Sequence, residues 1–248
     1  MRRYWITPSQ ISENQVHFDG DVFHHIFSVC RQDKGSKFEV LAGDQKAHFV
    51  EVTQVSKKSA TAQILETRQI PPLKKPEIHL AMSMPRYQTM DAVVEKAVEL
   101  GVHSIHPFYS DFSFIKSFLP AGKIERWQKI IVSATQQSGR GELMKIHEPL
   151  SAADLIAQIN QKPEALGLFA YEGEAKTDIQ TYLRSKKSKK PEEIWLLVGS
   201  EGGFSPTEVQ SFQEARMDSV TLGEQVLRVE TACITLLAVL KYEFDLMR

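Results

Sequence analysis

Two stretches of the chain place glycine, carboxylate and guanidinium groups where an apolar run gives way to a helix: LVGSEGGFSPTEV at 197–209 and LGEQVLRVETA at 222–232. In the first, Ser205, Pro206 and Glu208 have the layout of a capping box, with serine as N-cap, proline at the first helical position and glutamate three residues after the cap. A helix therefore begins there, and residues 199–204 form a strand-to-helix loop at the carboxyl edge of a sheet, where open α/β folds bind ligands. Gly202 and Gly203 remove side chains and permit positive φ, which lets a flat ligand lie against peptide groups. A tight turn that merely needs glycine is the plainer reading. The spacing matches neither G-x-x-x-x-G-K-[ST] nor G-x-G-x-x-G, and Glu201 in the loop would repel phosphate. It suits a hydroxyl, an amine or a cation, a description that S-adenosylmethionine meets with its ribose diol, amino group and sulfonium.

In the second stretch Arg228 and Glu230 stand directly before an apolar helix expected over 231–247, with Ile234, Leu237, Ala238 and Lys241 on one face. Glu230 or Thr231 can cap that helix. An arginine cannot cap amides and opposes the helix dipole. Arg228 is there for chemistry or for an ion pair with Glu201 or Glu224.

The elements that must position these loops follow from periodicity. Lys34 to Glu66 reads as short β-type runs, SKFEVLA, KAHFVEVTQV and SATAQILE, split by the turn signals GDQ and SKKS, which spells a meander or small barrel. A helical segment, DVFHHIFSVCR at 21–31, precedes it. IPPLKKPE at 70–77 reads as a linker. Beyond it strands and helices alternate, the mark of a mainly parallel sheet covered by helices. Strands are expected at 77–84, 103–109, 165–171, 193–199 and 219–223, and helices at 90–101 and 124–139, each closed by glycine. The lysine-rich RSKKSKKPEE, 184–193, reads as a solvated loop.

Composition excludes several classes. With 248 residues, 42% hydrophobic and 25% charged, the chain is globular, with length for one large domain or two smaller ones. The apolar runs fall short of the roughly 18 residues of a membrane span, and the opening MRRYWITP lacks the apolar core of a secretory signal. A cytoplasmic protein is expected. Cys30 and Cys233 suggest neither a disulfide framework nor a metal site, and both are expected to be small buried residues. The net charge of -1 hides a basic front, 11 Lys+Arg against 8 Asp+Glu in residues 1–75, compatible with a nucleic-acid partner.

With RRYWI at the start, MDAVVEKAVELGV at 90–102, QQSGR at 136–140 and the two loops, the chain resembles the ribosomal RNA small subunit methyltransferase E family of the SPOUT superfamily over nearly its whole length. The resemblance implies a PUA-like β-barrel over 1–70, then a SPOUT α/β domain over 76–248 whose C-terminal helix threads a trefoil knot. It further implies a homodimer that methylates N3 of one uridine in small-subunit (16S) ribosomal RNA, free or within the 30S subunit, using S-adenosylmethionine and no metal. The donor would lie against Phe169, Tyr171, Leu197, Gly199, Glu201, Gly202, Gly203, Leu222, Gly223, Val226, Leu227, Arg228 and Thr231. Arg228 would stabilise the developing uracil anion, and Glu201 would act as base or orient the donor. Basic and aromatic groups suited to RNA are Arg2, Arg3, Tyr4, Arg31, Arg86, Lys116 and Arg140. Serine at 200 and Glu224-Gln225, where the family usually has proline and proline-arginine, also fit an inactive RNA-binding assembly factor. A nicotinamide-dependent oxidoreductase is disfavoured, because no strand-to-helix turn has the dinucleotide spacing.

Overall fold

In a computed structural model of the chain, which describes residues 1–116, 119–173 and 177–247, the polypeptide divides into two compact units. One comprises Met1–Pro72 with Val132–Leu143, and the other Leu73–Ile131 with Met144–Arg248.

The first unit is a six-stranded sheet built from β1 (Arg3–Trp5), β2 (Ile11–Ser12), β3 (Gln15–Phe18), β4 (Lys37–Leu41), β5 (Lys46–Val55) and β6 (Ala60–Gln69), in the order β1-β4-β5-β6-β3-β2. All pairings are antiparallel except β1 with β4. Alternation along the strands turns Val16, Phe18, Phe38, Val40 and Val50 inward, each wholly buried. The segment expected to be helical folds as α1 (Gly20–Phe23) and a π-helical turn over His24–Val29, which buries Ile26 against the same core. The expectation missed β1, β2 and β3, which are too short for periodicity to register. It also placed Cys30 inside, whereas that thiol is half-buried, 3.7 Å from His25 Nε2.

The segment 132–143 belongs to this unit through specific bonds. Gln136 Oε1 accepts Trp5 N at 2.7 Å, and Arg3 donates to the carbonyl of Gln137. Gly139 turns with φ +76°, and a Cβ there would sit 2.9 Å from the Arg3 guanidinium carbon. The QQSGR motif thus serves docking within this unit.

The second unit is an all-parallel sheet of β7 (Glu77–Ser83), β8 (Ser104–Tyr109), β9 (Lys145–Ile146), β10 (Leu150–Ser151), β11 (Leu166–Ala170), β12 (Thr177–Asp178), β13 (Glu193–Val198) and β14 (Asp218–Thr221). Its order is β10-β8-β7-β13-β11-β14-β12, with β9 pairing the start of β8. Its central strands are apolar on both faces, as parallel strands under helices must be: Ile194 to Val198 are all buried.

The connecting helices are α2 (Tyr87–Glu99), α3 (Ala121–Ser138), α4 (Ala152–Asn160), α5 (Ile179–Lys186), α6 (Pro206–Glu214) and α7 (Val229–Glu243). Helix α2 buries Met90, Val93, Val94, Ala97 and Val98, and Gly101 follows with φ +74°. It begins three residues before the expected start, because Arg86, just after Pro85, is the extended N-cap. The lysine-rich run is not simply a loop, since α5 and a 3-10 turn over Lys187–Lys189 occupy its first half. Helix α7 is rotated from expectation: Cys233, Leu236, Leu237 and Leu240 face inward, and Ile234 is 38% exposed. Burial pushes the Cys233 thiol up to about 12. Among the described residues no helix is long and apolar enough to cross a membrane, and no group of His, Cys, Asp and Glu is placed to hold a metal ion.

Candidate active site

A cleft of about 960 Å³ lies entirely within the second unit, at the carboxyl ends of β11, β13 and β14 and the start of α2. The volume suits a nucleoside-sized ligand. Both loops singled out from the sequence line it, together with Arg86 and Thr89 of α2 and Glu172 after β11.

The first loop is closed on itself and on its surroundings. The capping box is present as expected: Ser205 Oγ accepts Glu208 N, and Glu208 Oε2 accepts Ser205 N. Gly203 N donates to Ser200 O at 2.9 Å, and Ser200 Oγ donates to Phe112 O at 2.6 Å. The glycines are needed for these approaches. A Cβ on Gly199 would stand 3.0 Å from Gly203 Cα, and one on Gly202 would stand 2.9 Å from Phe112 Cβ. Gly203 has φ +69°, where L side chains are strained. Gly199 and Gly202 therefore serve loop closure first, and the bare main chain facing the cleft is its consequence.

Glu201 is engaged too. Its Oε1 accepts Arg86 N at 3.2 Å and Thr89 Oγ1 at 3.3 Å, so the carboxylate caps the amino end of α2 from another segment of the chain. This geometry suits a residue that fixes the cleft wall better than one free to collect a proton.

The second loop differs. Glu224, Gln225 and Val226 are exposed, and among the described residues they and Leu227 make no hydrogen bond. Helix α7 starts at Val229, two residues before the expected 231. Arg228 is therefore its N-cap, and its side chain makes no cap bond. The expected capping by Glu230 or Thr231 is absent because both lie inside the helix. Arg228 is exposed and forms no ion pair among the described residues, so the salt bridge to Glu201 or Glu224 is not made. A guanidinium at a helix amino end, facing a cleft without a carboxylate partner, is placed for an incoming anionic or polarised group.

Of the anticipated donor-binding residues, Tyr171, Gly199, Glu201, Gly202, Gly203, Leu222, Gly223, Val226, Leu227 and Arg228 line the cleft. Phe169, Leu197 and Thr231 do not. Side chains alternate along a strand, and Phe169 and Leu197 point into the apolar cluster with Phe204 and Phe212. Their neighbours Ala170 and Val198 line the cleft instead. Thr231 is exposed on α7, with Glu230 and Ala232 on the cleft side. Arg86, Gln88 and Thr89 were not anticipated as cleft wall, since only the tertiary fold brings the start of α2 to this sheet edge.

The anticipated RNA contacts divide by burial. In the first unit Arg2 and Arg31 are exposed, while Tyr4 is 4% exposed and packs edge-on to Phe38 in the core, 4.9 Å between ring centroids. Arg3 and Arg68 both hydrogen-bond Glu39 at 2.8 Å, and Arg68's bond and then Arg3's hold that carboxyl below the usual carboxylate range. Arg140 is also buried, near Glu142, and desolvation lowers its affinity for a proton. Tyr4 and Arg140 are thus structural residues rather than displayed contacts. In the second unit Arg86 and Lys116 are exposed.

The chain combines a six-stranded β unit with an all-parallel α/β unit that carries a cleft at its strand ends, and comparison with known proteins identifies this combination as an RNA methyltransferase. The family model described as an RNA methyltransferase domain matches residues 72–241, and that of an RNA methyltransferase PUA domain matches residues 18–65. The chain is 31% identical to ribosomal RNA small subunit methyltransferase E of Aquifex aeolicus over 90% of its length and 91% of the relative's. To the Bacillus subtilis protein of that name it is 29% identical, covering 100% and 99%. Among solved structures, the Neisseria gonorrhoeae enzyme bound to S-adenosyl methionine superposes with a TM-score of 0.82 at 28% identity, covering 98% and 97%. A Legionella pneumophila protein in complex with the bound cofactor SAM gives 0.84 at 27%, covering 97% and 96%. The chain belongs to the ribosomal RNA small subunit methyltransferase E family.

Proposed function

We propose that the protein transfers a methyl group from S-adenosylmethionine to N3 of one uridine in small-subunit ribosomal RNA, acting in the cytoplasm as a homodimer whose C-terminal region is knotted. The observation that carries this reading is Arg228, exposed and without an ion pair among the described residues, on the wall of a cleft that both glycine-bearing loops line. The residues present fit the donor. Two loops offer peptide surface for adenine and ribose, Glu172 and Glu230 offer carboxylates to an amine or sulfonium, and among the described residues no lysine lines the cleft to favour a triphosphate. When bound, S-adenosylmethionine supplies an electrophilic methyl carbon.

The chain's own work is alignment and charge. Glu201, capping α2, holds Arg86 and Thr89 against the first loop and so fixes the wall on which the donor is oriented. As N3 gives up its proton to solvent ahead of attack on the methyl carbon, negative charge develops on N3 and the flanking uracil carbonyl oxygens. The Arg228 guanidinium meets that charge more strongly in the transition state than in the bound substrate. The exposed Arg2 and Arg31 of the first unit take phosphates.

The test is transfer of labelled methyl to small ribosomal subunits from cells that lack the protein, followed by mapping of reverse-transcriptase stops. A single stop at a uridine is expected. Methyl incorporation without a stop would place the group away from the pairing edge and reject N3. No incorporation, with donor still bound, would leave an RNA-binding assembly factor.

A further inference from the structure

After β8 the chain carries two phenylalanines that the fold displays: Phe112 is 47% exposed and Phe114 57%. The segment bearing them is tied down at almost every step. Ser113 Oγ accepts Ser110 N at 2.8 Å and bonds Ser83 Oγ at 3.0 Å in a buried cluster of three hydroxyls. Asp111 N donates to Glu208 Oε1, and the Asp111 carboxylate accepts Ser205 Oγ. Phe112 O accepts Ser200 Oγ, and Phe114 N donates to Met84 O at 2.9 Å. One exposed phenylalanine is ordinary. Two in three residues, on a backbone with this many bonds, cannot turn inward without breaking them, so the rings are held in water.

Their position gives them a use. Phe112 packs directly against Gly202 in the wall of the donor cleft. Arg86, another wall residue, holds its guanidinium carbon 4.8 Å from the centroid of the Phe114 ring, and the exposed Lys116 follows. Aromatic faces beside exposed cations are the equipment with which proteins hold unpaired nucleic-acid bases, ring on ring, with the phosphates neutralised alongside. A protein-binding patch would instead keep charge off its centre.

We propose that Phe112 and Phe114 form a stacking platform for an unpaired base of the RNA substrate at the mouth of the donor cleft, with Arg86 and Lys116 meeting the adjacent phosphates. This rests on the ribosomal RNA reading above and deepens it. A base attacked on its pairing edge must leave its helix, and a ring beside the cleft offsets the stacking that its strand loses. The platform thereby contributes to which stretch of RNA is accepted.

The test uses the full-length protein with Phe114→Leu, Phe114→Tyr and the same pair of changes at Phe112. Leucine keeps apolar bulk and loses the aromatic face, whereas tyrosine keeps the face. Measured for each are KM and kcat for unmethylated small subunits, donor Kd by calorimetry, and sedimentation. The leucine variants should raise KM about tenfold, the tyrosine variants should stay within about twofold of wild type, and donor Kd and sedimentation should not move. Leucine variants with wild-type KM would overturn the platform. So would a change in sedimentation, which would make the surface a subunit interface, or a loss of donor affinity, which would make it loop packing. Absence of transfer by the unaltered protein, seen before any variant is made, would overturn the ribosomal RNA reading together with this one.

Discussion

The two loops that form the cleft are built in opposite ways. In residues 199–205 the side chains of Ser200, Glu201 and Ser205 are all bonded to groups outside the loop, and a Cβ on Gly199 or Gly202 would meet atoms at 3.0 Å or less. In residues 222–228 the only side-chain bonds among the described residues are those of Thr221 Oγ1 with Gly223, and a Cβ on Gly223 would meet nothing within 4 Å. One loop is a finished wall that fixes where a donor lies. The other has the few bonds and high exposure of a segment that becomes ordered through its ligand. Similar glycine content in sequence thus has two physical meanings, close packing in one case and open main chain in the other.

Substitutions can break that contrast. Gly199→Val should have the largest effect on donor binding: the side chain cannot enter without opening the loop, at a cost of about 1–3 kcal/mol, and donor affinity should fall about 10- to 100-fold. Calorimetry with S-adenosylmethionine measures this, and unaltered affinity would mean that the first loop does not shape the donor site. Arg228→Ala, in the open loop, should instead leave donor Kd within a few-fold and cut turnover by roughly 10²–10³, the usual effect of removing one charge-stabilising donor. Loss of donor binding with turnover per bound donor intact would reassign Arg228 to the donor. Ser205→Ala removes the cap that anchors the first loop to α6 and should cost about 1 kcal/mol in denaturant unfolding. Gly223→Ala should cost a similar amount, since space is open and only the positive φ resists, at about 1 kcal/mol.

Acidity acts elsewhere in the same sheet. His79 of β7 and His106 of β8 are buried, linked through Ser104 and packed against Trp195 of β13. Burial, ahead of neighbouring charges, depresses their pKa values to about 4 and about 3. Glu77, Glu193, His103, His147 and Lys162 surround them. Since the unfolded histidines titrate near 6.5, the unfolded chain binds more protons between that value and the folded ones, and stability falls as pH drops through the window. Each histidine adds a slope of about 1.4 kcal/mol per pH unit. Thermal unfolding at pH 7, 6, 5 and 4 measures it. His106→Asn should flatten the slope, and an unchanged slope would locate the acid sensitivity elsewhere.

How far the sequence discloses this structure depends on the range of the interactions. The capping box at Ser205 and the five expected parallel strands announce themselves within a few residues and stand within two residues of where the pattern puts them, and helix α2 does so apart from its first turn. Helix α4 escapes the reading although Ser151 caps it through Asp154 N, because its apolar face is short. The inward face of α7 is misread because that helix is apolar nearly all round, which leaves its rotation to packing. The burial of Tyr4 and Arg140, the capping of α2 by Glu201 and the display of Phe112 and Phe114 depend on residues far apart in sequence. No local pattern carries them.

The central claim is that these two loops enclose a site for a sulfonium nucleoside. Titration calorimetry of S-adenosylmethionine into the folded full-length protein, alongside Gly199→Val, tests it most directly. Saturable one-to-one binding per chain by the wild type and its loss in the variant are predicted. No heat from a well-folded wild type, or equal affinity in both, would contradict the account.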